Sequence, residues 1–307
     1  MPDYDVVILG GGPGGLSALL WCHSLNLQGV VLERAPELGG QLLQMHHRIL
    51  DYPGVVAADG RDLRDHFVGH VRELGLEWRA GCGIDGVDLD GRGVRCDGGT
   101  VGGRALVLAT GARKRRLGVP GEDEFEGRGV SFSATRDHQA FAGRAVCVVG
   151  GGDSAFENCL ILARVCPQVT LLHRSDRFRA RPEWVAAVRS HPGIIIRAGV
   201  EVAAIHGGEW VTGVAVSDRR TGAQEEIPAQ GVFVRIGVAP STEMFRGQVA
   251  LDDEGYITTD RRQRTSRPMV YAAGDVCRPV CLSVAVAAGH GAVAVKDIAN
   301  QLRQGRG

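Results

Sequence analysis

The chain has 307 residues, too many for one ordinary core, so two domains of about 100 to 200 residues each are expected. Thirty-five Lys and Arg balance thirty-five Asp and Glu with no long run of like charge. This excludes the electrostatic footprint of a nucleic-acid or anionic-membrane binder and leaves a small molecule or a protein as partner. Forty-five glycines beside 44% hydrophobic residues indicate tight turns and close backbone approaches, not disorder.

Met1-Pro2-Asp3-Tyr4-Asp5 leads straight into an apolar run, with neither the basic start nor the cleavable apolar segment of a signal peptide. A cytoplasmic location is therefore expected. The apolar stretch Val270 to Val295 is interrupted by Asp275, Arg278 and His290, which argues against a membrane span. Eight cysteines are scattered, with no framework spacing, and most read as buried free thiols in a reducing compartment. No spacing suggests a metal site.

Val6 to Leu9 is a continuous apolar run and reads as a strand. Gly10-Gly11-Gly12-Pro13-Gly14-Gly15 follows, and then a helical stretch from Leu16 to about Leu25. The spacing of Gly10, Gly12 and Gly15, with Pro13 opening the helix, permits a tight turn and close backbone approach to a pyrophosphate. It also lets the helix pack closely on the strand, with the helix N-terminus facing the phosphates. A second strand, Val30 to Leu32, ends at Glu33-Arg34. Glu33 stands 23 residues after Gly10, where a carboxylate accepts the hydroxyls of an adenosine ribose.

Next, Ile84 to Val101 alternates short pieces with Asp-Gly and Gly-Gly turns, a small antiparallel meander, and closes on a buried strand, Ala105 to Ala109, before Thr110-Gly111. The strand-turn-helix device then recurs. Ala145 to Val149 is the strand, Gly150-Gly151-Gly152-Asp153-Ser154-Ala155 the turn, and a helix runs from about Ser154 to Arg164. The following strand, Val169 to Leu172, ends in His173-Arg174, again 23 residues on. The ribose-reading acid is missing, and Arg174, Arg177 and Arg179 offer guanidinium groups suited to a 2′-phosphate, so NADPH is expected over NADH. Further strands lie near Ile194 to Arg197, Trp210 to Val216 and Gly231 to Ile236. Tyr271-Ala272-Ala273-Gly274-Asp275 ends another, and a last helix is expected from about Leu282 to Leu302.

Taken together, Gly10 to Gly15, Gly39-Gly40-Gln41-Leu42, Asp51-Tyr52-Pro53-Gly54, Ala109-Thr110-Gly111, Gly150 to Ala155, the His173-Arg174 segment and Ala273-Gly274-Asp275-Val276 make the chain resemble the low-molecular-weight thioredoxin reductases over nearly its whole length. The resemblance implies an α/β fold of two Rossmann-like three-layer dinucleotide-binding domains, each with a small antiparallel β meander. It implies an FAD domain of residues 1–115 and 243–307, an inserted NADPH domain of residues 116–242, and a homodimer. It also implies that Gly12, Glu33, Gly40, Gln41, Leu42, Thr110, Gly111, Gly274 and Asp275 belong to the FAD site, with Asp275 near the ribityl or phosphate region. His46 and His47 either approach the flavin, by the same likeness, or lie in a solvated loop.

Where that family carries a redox Cys-x-x-Cys followed by Asp, this chain has Ser133-Ala134-Thr135-Arg136-Asp137. Without two thiols there is no nucleophile to open a substrate disulfide and none to resolve the mixed disulfide. Leu282-Ser283-Val284 likewise replaces the family's Arg-Gln-Ala. Relatives without the dithiol include the ferredoxin or flavodoxin NADP reductases of this fold, which place an aromatic ring beyond the last helix, whereas Gln301 to Gly307 contains none.

The expected function is thus an FAD-dependent NADPH oxidoreductase passing electrons to a non-thioredoxin acceptor, either a small redox protein or a small molecule. Two alternatives stay open at this point. One is a disulfide reductase or small-dithiol oxidase using Cys277 and Cys281, which flank Pro279 and would gain thiolate character from the N-terminus of the last helix. The other is a non-catalytic regulatory flavoprotein. Asp137 is either a proton donor or a capping and hydrogen-bonding residue.

Overall fold

Short apolar runs alternate with helix-forming stretches, and the computed structural model turns that alternation into a chain of strands and crossover helices. It describes residues 3–46 and 48–304, so Met1, Pro2, His47 and 305–307 lie outside the described residues. In chain order come β1 (Tyr4–Leu9), α1 (Pro13–Ser24), β2 (Gly29–Glu33), α2 (Gly60–Glu73), β3 (Glu77–Ala80), β4 (Ile84–Asp88), β5 (Gly93–Cys96), β6 (Gly99–Leu108) and β7 (Ala112–Lys114). They are followed by β8 (Val130–Ser131), α3 (Ala134–Asp137), β9 (Val146–Val149), α4 (Asp153–Leu162), β10 (Val169–His173), α5 (Pro182–Ser190) and β11 (Ile194–Ala198). The remainder are β12 (Val200–Gly207), β13 (Val211–Asp218), β14 (Gln224–Pro228), β15 (Val232–Val234), β16 (Val238–Pro240), β17 (Val270–Ala272) and α6 (Val284–Gln304).

Two units result. One comprises Met1–Arg113 with Ala239–Gly307, the other Lys114–Val238. Ser241 and Thr242 belong to the first by their bonds: Thr110 Oγ1 donates to Ser241 O, and Thr242 Oγ1 to Gly255 O.

In the first unit the sheet runs β3-β2-β1-β6-β5-β4, with β17 on β6. The pairs among β1, β2, β3, β6 and β17 are parallel, while β4, β5 and the start of β6 form the antiparallel meander. Side chains alternate across a strand, and β1 shows the result. Val6 and Ile8 point into a core shared with α1, α2 and α6, and Val7 and Leu9 into one shared with the meander and residues near Phe245 and Ile257. One strand, β6, serves both regions: Gly99 to Gly102 pair with β5 and Gly103 to Leu108 with β1. Sequence reading separates these as a meander and a later strand.

The second unit repeats the plan with a parallel sheet β11-β10-β9-β15-β8 and a separate antiparallel sheet β12-β13-β14. Val146 and Val148 of β9 face α4 and α5, whereas Cys147 and Val149 face the three-stranded sheet. The fold is therefore the α/β, two-Rossmann architecture with a meander in each half. Among the described residues no helix is long and apolar enough to cross a membrane.

Elements the sequence reading did not name include α2, β3, α5, β12 and β14. The stripe Leu63, Phe67, Val68 and Val71 buries one face of α2, and Asp59 caps it by accepting from Asp62 N at 2.9 Å.

Candidate cofactor and active site

The first glycine loop joins the carboxyl end of β1 to α1. Gly10 takes φ +106°, a conformation that favours glycine, and a methyl group at Gly15 would run into Gly10 O. Pro13 fills the first helical position, where its missing N–H costs nothing, and no side chain caps α1. Above Gly12 the space is open: the nearest atom to the place a Cβ would occupy is Gly40 Cα, 3.9 Å away. An uncapped helix N-terminus under open space is a fitting cradle for a pyrophosphate. Glu33, at the end of β2, accepts from Gly11 N and Ala35 N, both at 2.7 Å. Each carboxylate oxygen keeps a lone pair for a ribose hydroxyl. Arg34 is exposed and Leu42 buried.

Two short 3₁₀ turns close this region. Gln41, in Gly40–Gln44, donates from Nε2 to Asp275 Oδ2 at 2.6 Å, and Asp275 lies in Gly274–Cys277. Burial holds the Asp275 carboxyl above the usual carboxylate range, opposed by the Gln41 bond and by His290. His290 of α6 enters the sequence reading only as a break in an apolar stretch and not as a site residue. Its Nδ1 is buried without a hydrogen-bond partner, and burial lowers its pKa against the pull of Asp275. Thr110 and Gly111 flank the same loop, Gly111 O accepting from Ser241 N. His46 is not without a partner.

In the second unit the corresponding loop joins β9 to α4. Gly152 leaves α4 without a side-chain cap and has open space around it, while Ala155 is buried where the first copy has Gly15. The loop after β10 folds back onto this turn: Arg179 N and Ala180 N both donate to Gly151 O. Asp153, one residue before Ser154, accepts from Arg181 N and Arg181 Nε, both at 2.8 Å, and these bonds hold its carboxyl below the usual range. The His173 ring lies over Gly151 and beside Phe178, ring centroids 5.3 Å apart, and burial lowers its pKa. Arg174, Arg177 and Arg179 are exposed, and among the described residues none of the three has an ion-pair partner. That is the donor set a phosphate dianion requires.

Ser133 caps α3, accepting from Arg136 N at 3.4 Å. Asp137 accepts from Arg136 Nε at 2.6 Å and Nη2 at 2.7 Å, and from Ser131 Oγ. Both of its oxygens act as acceptors in these bonds.

The cysteine pair departs from expectation. Cys277 ends a 3₁₀ turn and Cys281 precedes α6, which starts only at Val284, so neither thiol sits in the first turn of that helix. Both are free thiols, Cys281 exposed and Cys277 packed against a core. Burial pushes the Cys277 thiol up to about 12, the reverse of the thiolate stabilisation expected there. Cys22 and Cys147 are core thiols pushed up to about 12 by the same cause, and Cys159 is raised further. Cys82 and Cys96 are buried at the meander.

Two dinucleotide folds, each presenting an uncapped glycine loop, define a class: flavoprotein oxidoreductases that use a dinucleotide flavin and a nicotinamide dinucleotide. Residues 4–291 match the family model described as pyridine nucleotide-disulphide oxidoreductase, and the chain belongs to that family. It is 38% identical over 301 residues to a thioredoxin reductase of Mycolicibacterium smegmatis, covering 96% of this chain and 95% of that one. Identity to a thioredoxin reductase of Streptomyces clavuligerus is 37% over 298 residues, covering 95% and 92%. Among solved structures it is similar to the Lactococcus lactis thioredoxin reductase, with a TM-score of 0.83 and 30% identity over 98% of this chain and 100% of that one. The protein is a thioredoxin reductase-like oxidoreductase that depends on FAD and NADPH.

Proposed function

We propose that the protein passes electrons from NADPH through FAD to an acceptor other than thioredoxin, and does so without a protein dithiol. The observation that carries this is the chemistry of the unit Lys114–Val238: the dithiol position holds Ser133 and Arg136, and Cys147, Cys159 and Cys166, its three cysteines, are all buried with raised pKa values. A thiol that is both buried and protonated is neither nucleophile nor leaving group.

In this reading Gly10, Gly12, Pro13 and Gly15 take the FAD pyrophosphate. Glu33 holds the adenosine ribose, and Gly40, Gln41, Leu42, Thr110, Gly111, Gly274 and Asp275 line the remainder. Gly150, Gly152, Asp153, Ser154 and Ala155 receive the NADPH pyrophosphate, and His173, Arg174, Arg177 and Arg179 read its 2′-phosphate. When bound, the flavin supplies the two-electron relay between nicotinamide and acceptor. The residues orient: the Gln41–Asp275 bond fixes two loops of the first unit, and the Arg181–Asp153 pair fixes the arginine loop of the second. In each turnover NADPH and one proton give two electrons and two protons to a quinone or disulfide, and NADP⁺ leaves. The active form is proposed to be a homodimer.

A non-catalytic role would leave both nucleotide loops and the arginine set without use. Anaerobic addition of NADPH decides the matter. The flavin should bleach, reoxidise with a quinone or a small disulfide, and give no useful turnover with thioredoxin. Efficient thioredoxin reduction, or a flavin that NADPH leaves yellow, would overturn the proposal.

A further inference from the structure

Around Phe132, at the carboxyl ends of β8 and β15, the unit Lys114–Val238 gathers four cations. Arg116 Cζ lies 5.0 Å and Lys114 Nζ 5.9 Å from the Phe132 ring centroid, and Arg235 Nη1 donates to Phe132 O at 2.7 Å. Arg136 stands four residues along the chain from Phe132 and, with Arg235, acts electrostatically on Lys114.

Charge bookkeeping separates them. Arg116 is answered by Asp123 at 2.7 Å and Glu126 at 2.6 Å, and Arg136 by Asp137. Lys114 and Arg235 have no carboxylate within ion-pair distance among the described residues, and both are partly buried. Burial lowers the Lys114 pKa, the charges of Arg235 and Arg136 lower it further, and the more distant Asp137 and Glu126 oppose them; burial likewise lowers the Arg235 pKa against the pull of Glu157. Arg235 Nε is buried with no hydrogen bond. Holding two like charges partly out of water with no carboxylate in direct ion-pair contact is costly, and a ligand anion between them would relieve that cost.

NADPH does not need them, because its 2′-phosphate and pyrophosphate already have the Arg174, Arg177 and Arg179 set and the α4 N-terminus. Ligands of open α/β sheets sit beyond the carboxyl ends of parallel strands, which is where these two side chains are. Their recessed setting suits a small molecule better than a protein surface.

We propose that Lys114 and Arg235 form a recognition site for an anionic electron acceptor, a small quinone or disulfide bearing carboxylate or sulfonate groups. The inference rests on the reading that NADPH-derived electrons leave to a non-thioredoxin acceptor. Two quinones test it on the FAD-loaded enzyme: dianionic anthraquinone-2,6-disulfonate and neutral menadione. Lys114→Gln and Arg235→Gln should each raise the KM for the disulfonate about tenfold, the loss of one charge-assisted contact. The disulfonate-to-menadione ratio of kcat/KM should fall with it, and Arg235→Lys should recover part of that ratio. Equilibrium dialysis of the disulfonate under saturating NADP⁺ should show the same loss. An unchanged ratio, equal loss with both quinones, or slowed flavin reduction by NADPH would overturn the site, the last by assigning the cations to the dinucleotide. If wild-type flavin is not reduced by NADPH, the parent reading fails, and dialysis still decides whether the anion site exists.

Discussion

At the residue scale, nucleotide choice rests on what stands at the end of the second strand of each fold. Glu33 there has its carboxylate fixed by two backbone N–H groups, whereas His173 leaves the corresponding place to three exposed guanidinium groups. Arg174→Ala or Arg179→Ala should therefore erode the preference for NADPH over NADH by about 1.5 to 3 kcal/mol, about ten- to a hundredfold in the ratio of kcat/KM values. Equal use of both nucleotides by the wild type would contradict this. Thiol reactivity follows from burial in the same way. Cys281 is the one exposed cysteine of the eight. A thiol reagent at mildly alkaline pH should label one cysteine rapidly, Cys281→Ser should remove that label, and NADPH should expose no further thiol. Two thiols appearing on reduction would mean that Cys277 and Cys281 had been bridged.

At the element scale, α1 and α6 meet through small residues. A methyl group at Gly291 would collide with Gly14 O, and Ser17 Oγ donates to Ala288 O at 2.7 Å. Gly291→Val should lower the melting temperature by forcing the helices apart, at a cost of about 1 to 3 kcal/mol. At the other end of α6, Asp297 is buried and accepts from Arg264 Nε at 2.6 Å, Arg264 Nη2 at 3.0 Å and Tyr271 Oη at 2.8 Å. Burial alone would raise its pKa, but the Arg264 and Tyr271 bonds and the arginine charges outweigh it and hold the carboxyl below the usual range. A carboxyl depressed in the folded state adds stability above its unfolded pKa, and that stability is lost as pH falls through the folded value. Asp297→Asn should therefore destabilise at neutral pH by about 1.5 to 3 kcal/mol, with the gap to wild type closing on acidification below the ordinary carboxylate range. A gap independent of pH would show that packing, not charge, holds this corner. Such elements also mark how much was legible. Strand, glycine turn and helix are contiguous in sequence, so both nucleotide loops could be read from spacing. The stripe Leu63, Phe67, Val68 and Val71, with Asp59 before it, was a readable signal for α2 that the glycine motifs overshadowed. Lys114, Arg235 and Phe132, by contrast, are brought together only by strand pairing across a long separation, and no local pattern announces them.

At the scale of the whole molecule, the core divides as the chain does. The clusters built on Val6 and Val7 draw only on the first unit, and those on Cys147 and Val146 only on the second. The insertion itself cannot be read from local periodicity, since the strands β6 and β17 that pair in one sheet lie on either side of the entire second unit. Its physical consequence is separate linkage. A ligand stabilises only the folded state that binds it, by about 2.7 kcal/mol at a hundred times its Kd, and a transition is two-state only within one cooperative unit. Heating protein stripped of nucleotide should then give two transitions. FAD should raise the one reported by a probe on the first unit, and NADP⁺ the one reported by Trp184 and Trp210, which both lie in the second unit. At about 3 °C per kcal/mol for units of this size, saturating NADP⁺ should move the second transition by about 8 °C and leave the first nearly unchanged. Arg174→Ala with Arg179→Ala should abolish most of the NADP⁺ shift while sparing the FAD shift. A single transition that both ligands raise equally would mean that the two units melt as one, and the assignment of one nucleotide to each would have to be sought by other means than their separate stabilities.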